Sequence, residues 1–304
     1  LGNDWDGYTG MWPATSASLA RVLGCYGYAT SAFGKWHNTP DDHVSQVGPF
    51  DRWPTGRLVG FDYFYGFLAG ETSQYEPLLV ENFTHLPSRA YDGKYHLTED
   101  LADRAINWLR RQRAQAPDQP FFMYWAPGGV HGPHQVASQW ADKYRGKFDD
   151  GWDKYRERVY ARQKELGYLP ADAKLTSRPD SMPGWDEIPD AEKPFQRRLM
   201  EVFAGFCEHT DNQVGRVIDE LEALGVRDNT LVFYVWGDNG SSAEGQGGTV
   251  SEFLAQSGTK SEISDHLKVV EEFGGLKALG GPEFENIYHA GWAWAGSKIG
   301  RAHV

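Results

Sequence analysis

Gly27-Tyr28-Ala29-Thr30-Ser31-Ala32-Phe33 runs without a break into Gly34-Lys35-Trp36-His37, and the fold turns on how this stretch is read. Its apolar, partly β-branched and aromatic first half predicts a strand over 28–33. Side chains alternate across an extended backbone, so Lys35 and His37, two residues apart, leave it on one side. An ammonium there can neutralise anionic oxygens, and an imidazole can move protons near neutral pH. Just upstream, Ala14-Thr15-Ser16-Ala17-Ser18 offers N-cap residues for a helix through Leu19-Ala20-Arg21-Val22-Leu23, with Gly24 and Gly27 as its stop.

Further along, Leu97, Leu101, Ile106 and Leu109 recur at helical spacing, and acids precede arginines, which predicts a helix over 97–116. Phe121-Phe122-Met123-Tyr124-Trp125-Ala126 is a short, wholly apolar run expected to be a buried central strand. Pro194 opens a long helix through 224, and Thr230-Leu231-Val232-Phe233-Tyr234-Val235-Trp236 is read as another buried strand. The Gly- and Pro-rich stretch 40–70 reads as an ordered loop region. Within it, Phe61 to Phe67 is expected in the core or as an edge packed beneath a site. The polar, Trp- and Tyr-rich stretch 135–194 reads as an excursion over the surface. Helices alternating with continuous apolar strands define an α/β class with a mainly parallel central sheet covered by helices on both faces.

In such sheets ligands gather at the carboxyl ends of strands. Three of the expected strands end in residues able to do chemistry. One ends in Lys35 and His37. Another leads into Pro127-Gly128-Gly129-Val130-His131-Gly132-Pro133-His134, and the third into Gly237-Asp238-Asn239-Gly240. Adjacent carboxylate and amide oxygens are hard donors suited to Ca²⁺ or Mg²⁺, although Asn-Gly is also a turn signal. The five residues Lys35, His37, His131, Asp238 and Asn239 are expected to converge in one cleft. His134 is the rival of His131.

The formal charge of −12 argues against nucleic acid as a partner, because neutralising phosphates needs a basic face. It also means that an anionic substrate needs a local positive pocket or a metal. The two cysteines, Cys25 and Cys207, make no disulfide framework and are read as buried thiols. No apolar run reaches the length of a membrane span. Asn82-Phe83-Thr84 is formally a glycosylation sequon, read here as a plain loop. The chain opens at Leu1 in what reads as mid-domain loop. Residues 298–304 resemble a translated sequencing adapter, so the native portion is expected to be an internal fragment over 1–297.

The Gly-Lys-Trp-His run, the His131-x-Pro133 spacing and the Asp238-Asn239-Gly240 turn resemble the sulfatase family of the alkaline-phosphatase-like superfamily. So does the helix bearing Asp211-Asn212-Gln213-Val214-Gly215-Arg216 ahead of that turn. The resemblance covers nearly the whole chain, from Thr15 to about Trp294. It implies hydrolysis of sulfate monoesters, small molecules of the aryl sulfate type, with Ca²⁺ or another divalent cation held partly by Asp238 and Asn239. It further implies that Lys35 holds charge on the sulfate, that His37 assists turnover of the sulfated enzyme, and that His131 protonates or orients the leaving oxygen. The chain departs from the family in lacking the early acid pair and the Cys-x-Pro-x-Arg segment whose cysteine becomes the formylglycine nucleophile. Cys25 is followed by Tyr26-Gly27-Tyr28, and Asp4 and Asp6 are wrongly spaced for the acids. The formylglycine is therefore expected upstream of Leu1, and the fragment alone is expected to be inactive. The family's late lysine is not identifiable. A phosphonate or phosphodiester hydrolase of the same superfamily, or an inactive sulfate-ester-binding relative, stays open as an alternative. So do the oligomeric state and the compartment, bacterial cytoplasm or periplasm.

Overall fold

The computed structural model of the chain describes residues 13–235, 237 and 242–297. In chain order its elements are α1 (Leu19–Cys25), β1 (Ala29–Lys35), β2 (Tyr63–Phe67), β3 (Val80–Glu81), β4 (Thr84–His85), α2 (Leu97–Gln115) and β5 (Phe121–Ala126). Then come α3 (Ser138–Ala141), α4 (Gly151–Glu165), α5 (Lys193–Ala223), α6 (Glu252–Gln256), α7 (Ile263–Glu272) and α8 (Ala290–Gly296). They divide into two compact units. One holds the chain up to Gly129 together with Thr210–Leu231, and the other holds Val130–His209 together with the chain from Val232 on.

The first unit is built on a mixed sheet of order β4-β3-β2-β1-β5. β1 pairs parallel with both β2 and β5, while β2–β3 and β3–β4 pair antiparallel. Alternation along β1 and β2 sorts the side chains onto two cores. Phe33, Tyr65 and Phe67 bury against Leu97, Leu101 and Ala105 of α2. Ala32 and Phe64 bury on the other face with Ala20 of α1 and with Trp36, Trp53, Val59 and Phe61. Burial of each large side chain contributes about 1.5–3 kcal/mol, so both faces need their cover. The α/β class with helices on both faces holds.

α1 starts where the sequence indicates, with the Ser18 side chain accepting a hydrogen bond from the Arg21 N–H at 3.0 Å. α2 is capped by His96, whose Nδ1 accepts from the Thr98 N–H at 3.3 Å, with Glu99 and Asp100 in its first turn and Arg113 in its last. Arg110 of α2 forks onto the Glu220 carboxylate of α5, with Nε and Nη2 at 2.8 and 2.7 Å from its oxygens. That fork holds the Glu220 carboxyl below the usual range. Because the arginine side chain is 60% exposed, Arg110→Ala should shift the midpoint of a urea titration only slightly.

Four expectations fail here. β2, the neighbour of β1, lies inside the stretch read as loop. β5 is a half-buried edge of the described sheet, with Tyr124 44% exposed, and not a central strand. Residues 231–235 form no strand, and Leu231 and Val235 are 79% and 89% exposed. Strand propensity is realised only where a neighbouring strand takes up the backbone hydrogen bonds, and these residues have none among the described strands. Cys25 is exposed, because α1 buries only Ala20; Cys207 is the covered thiol, and burial pushes it up to about 12.

The second unit packs around the first half of α5, where Phe195, Leu199, Val202 and Phe206 recur on one face and are fully buried. The stretch 135–194 supplies α3, α4 and much of this core: Val136, Ala141, Phe148, Trp152, Trp185 and Ile188. Trp152 stacks on His289 at 4.4 Å and meets the Trp185 and Trp292 rings edge-on. Burial holds two histidines of this unit neutral, lowering His134 to about 3 and His289 to about 4 from an ordinary 6.5. The unfolded chain takes up those protons near pH 6.5 and the folded chain does not. Their contribution is therefore complete above about pH 6.5 and is lost progressively as pH falls towards 4, by up to about 1.4 kcal/mol per pH unit for each histidine. Urea midpoints measured from pH 7 to 4 should fall accordingly; a midpoint that is flat or rises would contradict neutral burial.

Candidate functional site

At the carboxyl edge of the first unit's sheet, Lys35 is the last residue of β1, in register with Phe67 of β2. The glycine before it is required. Gly34 has φ +102°, and a Cβ there would lie 2.0 Å from the Ala126 carbonyl oxygen. Beyond the strand, the Trp36 N–H donates to the Phe67 carbonyl at 2.9 Å. The Trp36 ring is buried edge-on between Phe61 and Tyr124. With Trp36 turned into the core, Lys35 is half-buried and His37 exposed. The imidazole of His37 lies over Gly70, where a Cβ would come within 2.9 Å of Cε1. The chain leaving β5 passes close by at Gly128, where a Cβ would lie 3.1 Å from the Gln74 amide. Gln74 is buried and tied to the start of α2, accepting from the Thr98 hydroxyl at 3.1 Å and, through its carbonyl, from the Leu97 N–H at 2.7 Å. A fixed cation and a solvent-accessible imidazole thus share a rigid, glycine-lined edge.

In the second unit, His131 is exposed and its Nδ1 lies 3.0 Å from the Gly132 carbonyl. A carbonyl can only accept, so Nδ1 carries the proton in this contact. Glu252 stands beside it. A ring nitrogen of His131 and a carboxylate oxygen of Glu252 lie within 4.8 Å, and a Cβ on Gly132 would meet Glu252 Oε2 at 2.5 Å. Glu252 is buried at the start of α6, its N–H donating to the Glu285 carbonyl at 2.6 Å and its Oε1 accepting from Gln256 at 2.9 Å. The sequence reading passed over Glu252. Its one local signal is its position directly after Ser251, the N-cap whose hydroxyl accepts from Leu254.

His134 has a different environment. Its backbone N–H donates to the Asn286 carbonyl at 2.8 Å, and its ring is packed between Phe203 and Tyr288. Buried and neutral, it acts in the core. Asp211 is exposed on α5. Asp238 and Asn239 lie outside the described residues. Among the described residues no helix is long and apolar enough to cross a membrane.

The sulfatase family profile matches residues 7–286, and the chain belongs to the sulfatase family. It is 31% identical to an uncharacterized sulfatase of Schizosaccharomyces pombe, over 90% of this chain and 49% of that protein. It is 26% identical to an arylsulfatase of Klebsiella aerogenes, over 72% of this chain and 46% of that one. With the human N-acetylgalactosamine-6-sulfatase it shares 25% identity over 80% of this chain and 36% of the relative. The chain thus spans about half or less of the length of these curated relatives.

Proposed function

We propose that the protein to which this chain belongs hydrolyses sulfate monoesters, aryl sulfates among them. Family membership supports the reaction class. The observation that carries the reading to residues is Gly34-Lys35-Trp36-His37, in which a left-handed glycine and a buried tryptophan fix a cation and an imidazole at a strand end. Lys35 neutralises charge on the sulfate oxygens as it builds up, which is the larger electrostatic contribution. His37 moves a proton at the sulfate end. His131, entering the step as the imidazolium with Nδ1–H held by Gly132, gives its Nε2 proton to the leaving oxygen and is left as the neutral Nδ1–H ring.

Asp238 and Asn239 fit a divalent cation, Ca²⁺ in this reading, by the chemistry of their hard oxygen donors. When bound, such an ion polarises the sulfate oxygens. Two residues fall short of the roughly six to eight oxygens that Ca²⁺ takes, so calorimetry on this chain alone should show weak Ca²⁺ binding or none. Tight stoichiometric binding would mean that other ligands had been overlooked. Formylglycine does not fit either cysteine. Cys25 lacks the Cys-x-Pro-x-Arg surroundings, and Cys207 lies covered on α5 with its thiol pushed up to about 12. No step is therefore assigned to a nucleophile from this chain.

The test is turnover of 4-nitrophenyl sulfate by this chain and by the same chain extended with its upstream coding sequence. The extended protein should release sulfate and the chain alone should not. Turnover by the chain alone that disappears in His131→Ala would reveal a nucleophile inside it.

A further inference from the structure

At the amino edge of the first unit's sheet, the end opposite Lys35, a cleft of about 260 Å³ opens between β2–β3 and α2. It is lined by Tyr63, Glu81, Arg104, Asn107, Trp108 and Arg111. The four α2 residues fall at i, i+3, i+4 and i+7, a single helix face. One wall is held rigidly. Tyr63 donates to Glu81 Oε1 at 2.8 Å, and the Arg104 guanidinium lies 4.3 Å over the Tyr65 ring with its Nε 3.6 Å from Asp100. Asp100 is itself pinned by the Tyr65 and Tyr95 hydroxyls at 2.5 and 2.9 Å. Trp108 is fixed edge-on against Phe33 and Phe121, leaving it half-buried beside the cleft. Glu81 and Asp100 offset Arg104. Arg111 has no ion pair or hydrogen bond among the described residues, and neither has the exposed amide of Asn107. This is a cleft in which an unpaired guanidinium, an amide and an indole stand side by side.

We propose that this cleft is an accessory binding site for a small anionic sugar. The carboxylate or sulfate of the ligand lies on Arg111 beside Arg104, its ring lies against Trp108, and Asn107 with the Tyr63–Glu81 pair takes its hydroxyls. A guanidinium gives charge-assisted, geometrically defined bonds to either oxyanion. The volume falls just under the roughly 300–1,000 Å³ of drug-sized pockets, which suits one sugar ring and not an oligosaccharide. The site is distinct from the carboxyl edge, and the proposal does not depend on the hydrolase reading.

The experiment is a titration of the full chain with glucuronate, glucose 6-sulfate, glucose and sodium sulfate, following the Trp108 indole resonance by NMR. Both anionic sugars should bind and shift that resonance. Glucose and sodium sulfate should bind about tenfold more weakly, each lacking half of the recognition, and Arg111→Ala should weaken both anionic sugars by about tenfold. Arg111 is exposed and unpaired here, so the variant should keep the native urea midpoint. Asn107→Ala is a second surface variant expected to weaken binding without unfolding. Preference for sodium sulfate over both sugars would mean an adventitious ion only. No binding at millimolar ligand, equal binding of glucose, or affinity unchanged in Arg111→Ala would each overturn the proposal.

Discussion

Gly34→Val should destabilise the first unit by about 2–6 kcal/mol, which is a large part of the roughly 5–15 kcal/mol that holds a typical domain. Two effects add. The backbone at φ +102° excludes a β-branched residue, a strain of about 1–3 kcal/mol. The new Cβ would also sit 2.0 Å from the Ala126 oxygen and 2.7 Å from its carbon, so β1 and β5 would have to part, and overpacking of this kind adds about 1–3 kcal/mol. The neighbouring strand gives no relief, because a Cβ on Gly66 would meet the Gly34 oxygen at 1.9 Å. Gly24→Ala is the control: it lies in α1 with nothing within 4 Å of its Cβ, and alanine there should be neutral or mildly stabilising. Urea denaturation followed by circular dichroism reads both. An unchanged midpoint for Gly34→Val would contradict the parallel register of β1 with β5.

Lys35→Ala, in the protein extended upstream of Leu1, should lower kcat/KM for an aryl sulfate by about 10²–10³-fold while leaving the fold intact. Lys35 ends a strand and is only half-buried, so its truncation opens no core cavity. The sulfate, however, loses the one cation that this edge of the first unit offers through β1. Lys35→Arg should restore little, since a planar fork on a different stem does not reproduce a point charge. His134→Gln behaves differently. It removes a ring packed between Phe203 and Tyr288 and should lower the urea midpoint. A Lys35→Ala variant with full activity would remove Lys35 from the chemistry.

Much of the fold was legible because its elements rest on local signals. Ser18 and the apolar spacing after it mark α1, and the run 97–115 shows both its period and its charge order. β2 was hidden because Phe61 to Phe67 is short, rich in aromatics on both faces and set among glycines and prolines, so no periodicity separates a strand from ordered loop. The segment 231–235 misled for the opposite reason. Its composition is that of a buried strand, but burial is conferred by neighbours, and no local pattern records whether a neighbour is there. The burial of Trp152 and Trp185 was obscured in the same way: they sit among polar residues in sequence and meet only through tertiary packing. At the site, Lys35 sits at the end of a strand that the sequence marks, whereas His37 lies in the turn beyond it. Glu252 could not be read, since its approach to His131 joins positions 121 residues apart in sequence.

The most direct measurement offers the upstream-extended protein 4-nitrophenyl sulfate and 4-nitrophenyl phosphate in separate reactions, with inorganic sulfate and phosphate quantified as products. Sulfate release should dominate by at least about tenfold in kcat/KM, and it should fall by about 10²–10³-fold in both Lys35→Ala and His131→Ala. Phosphate release exceeding sulfate release, or sulfate release untouched by both substitutions, would contradict a sulfatase working through these residues.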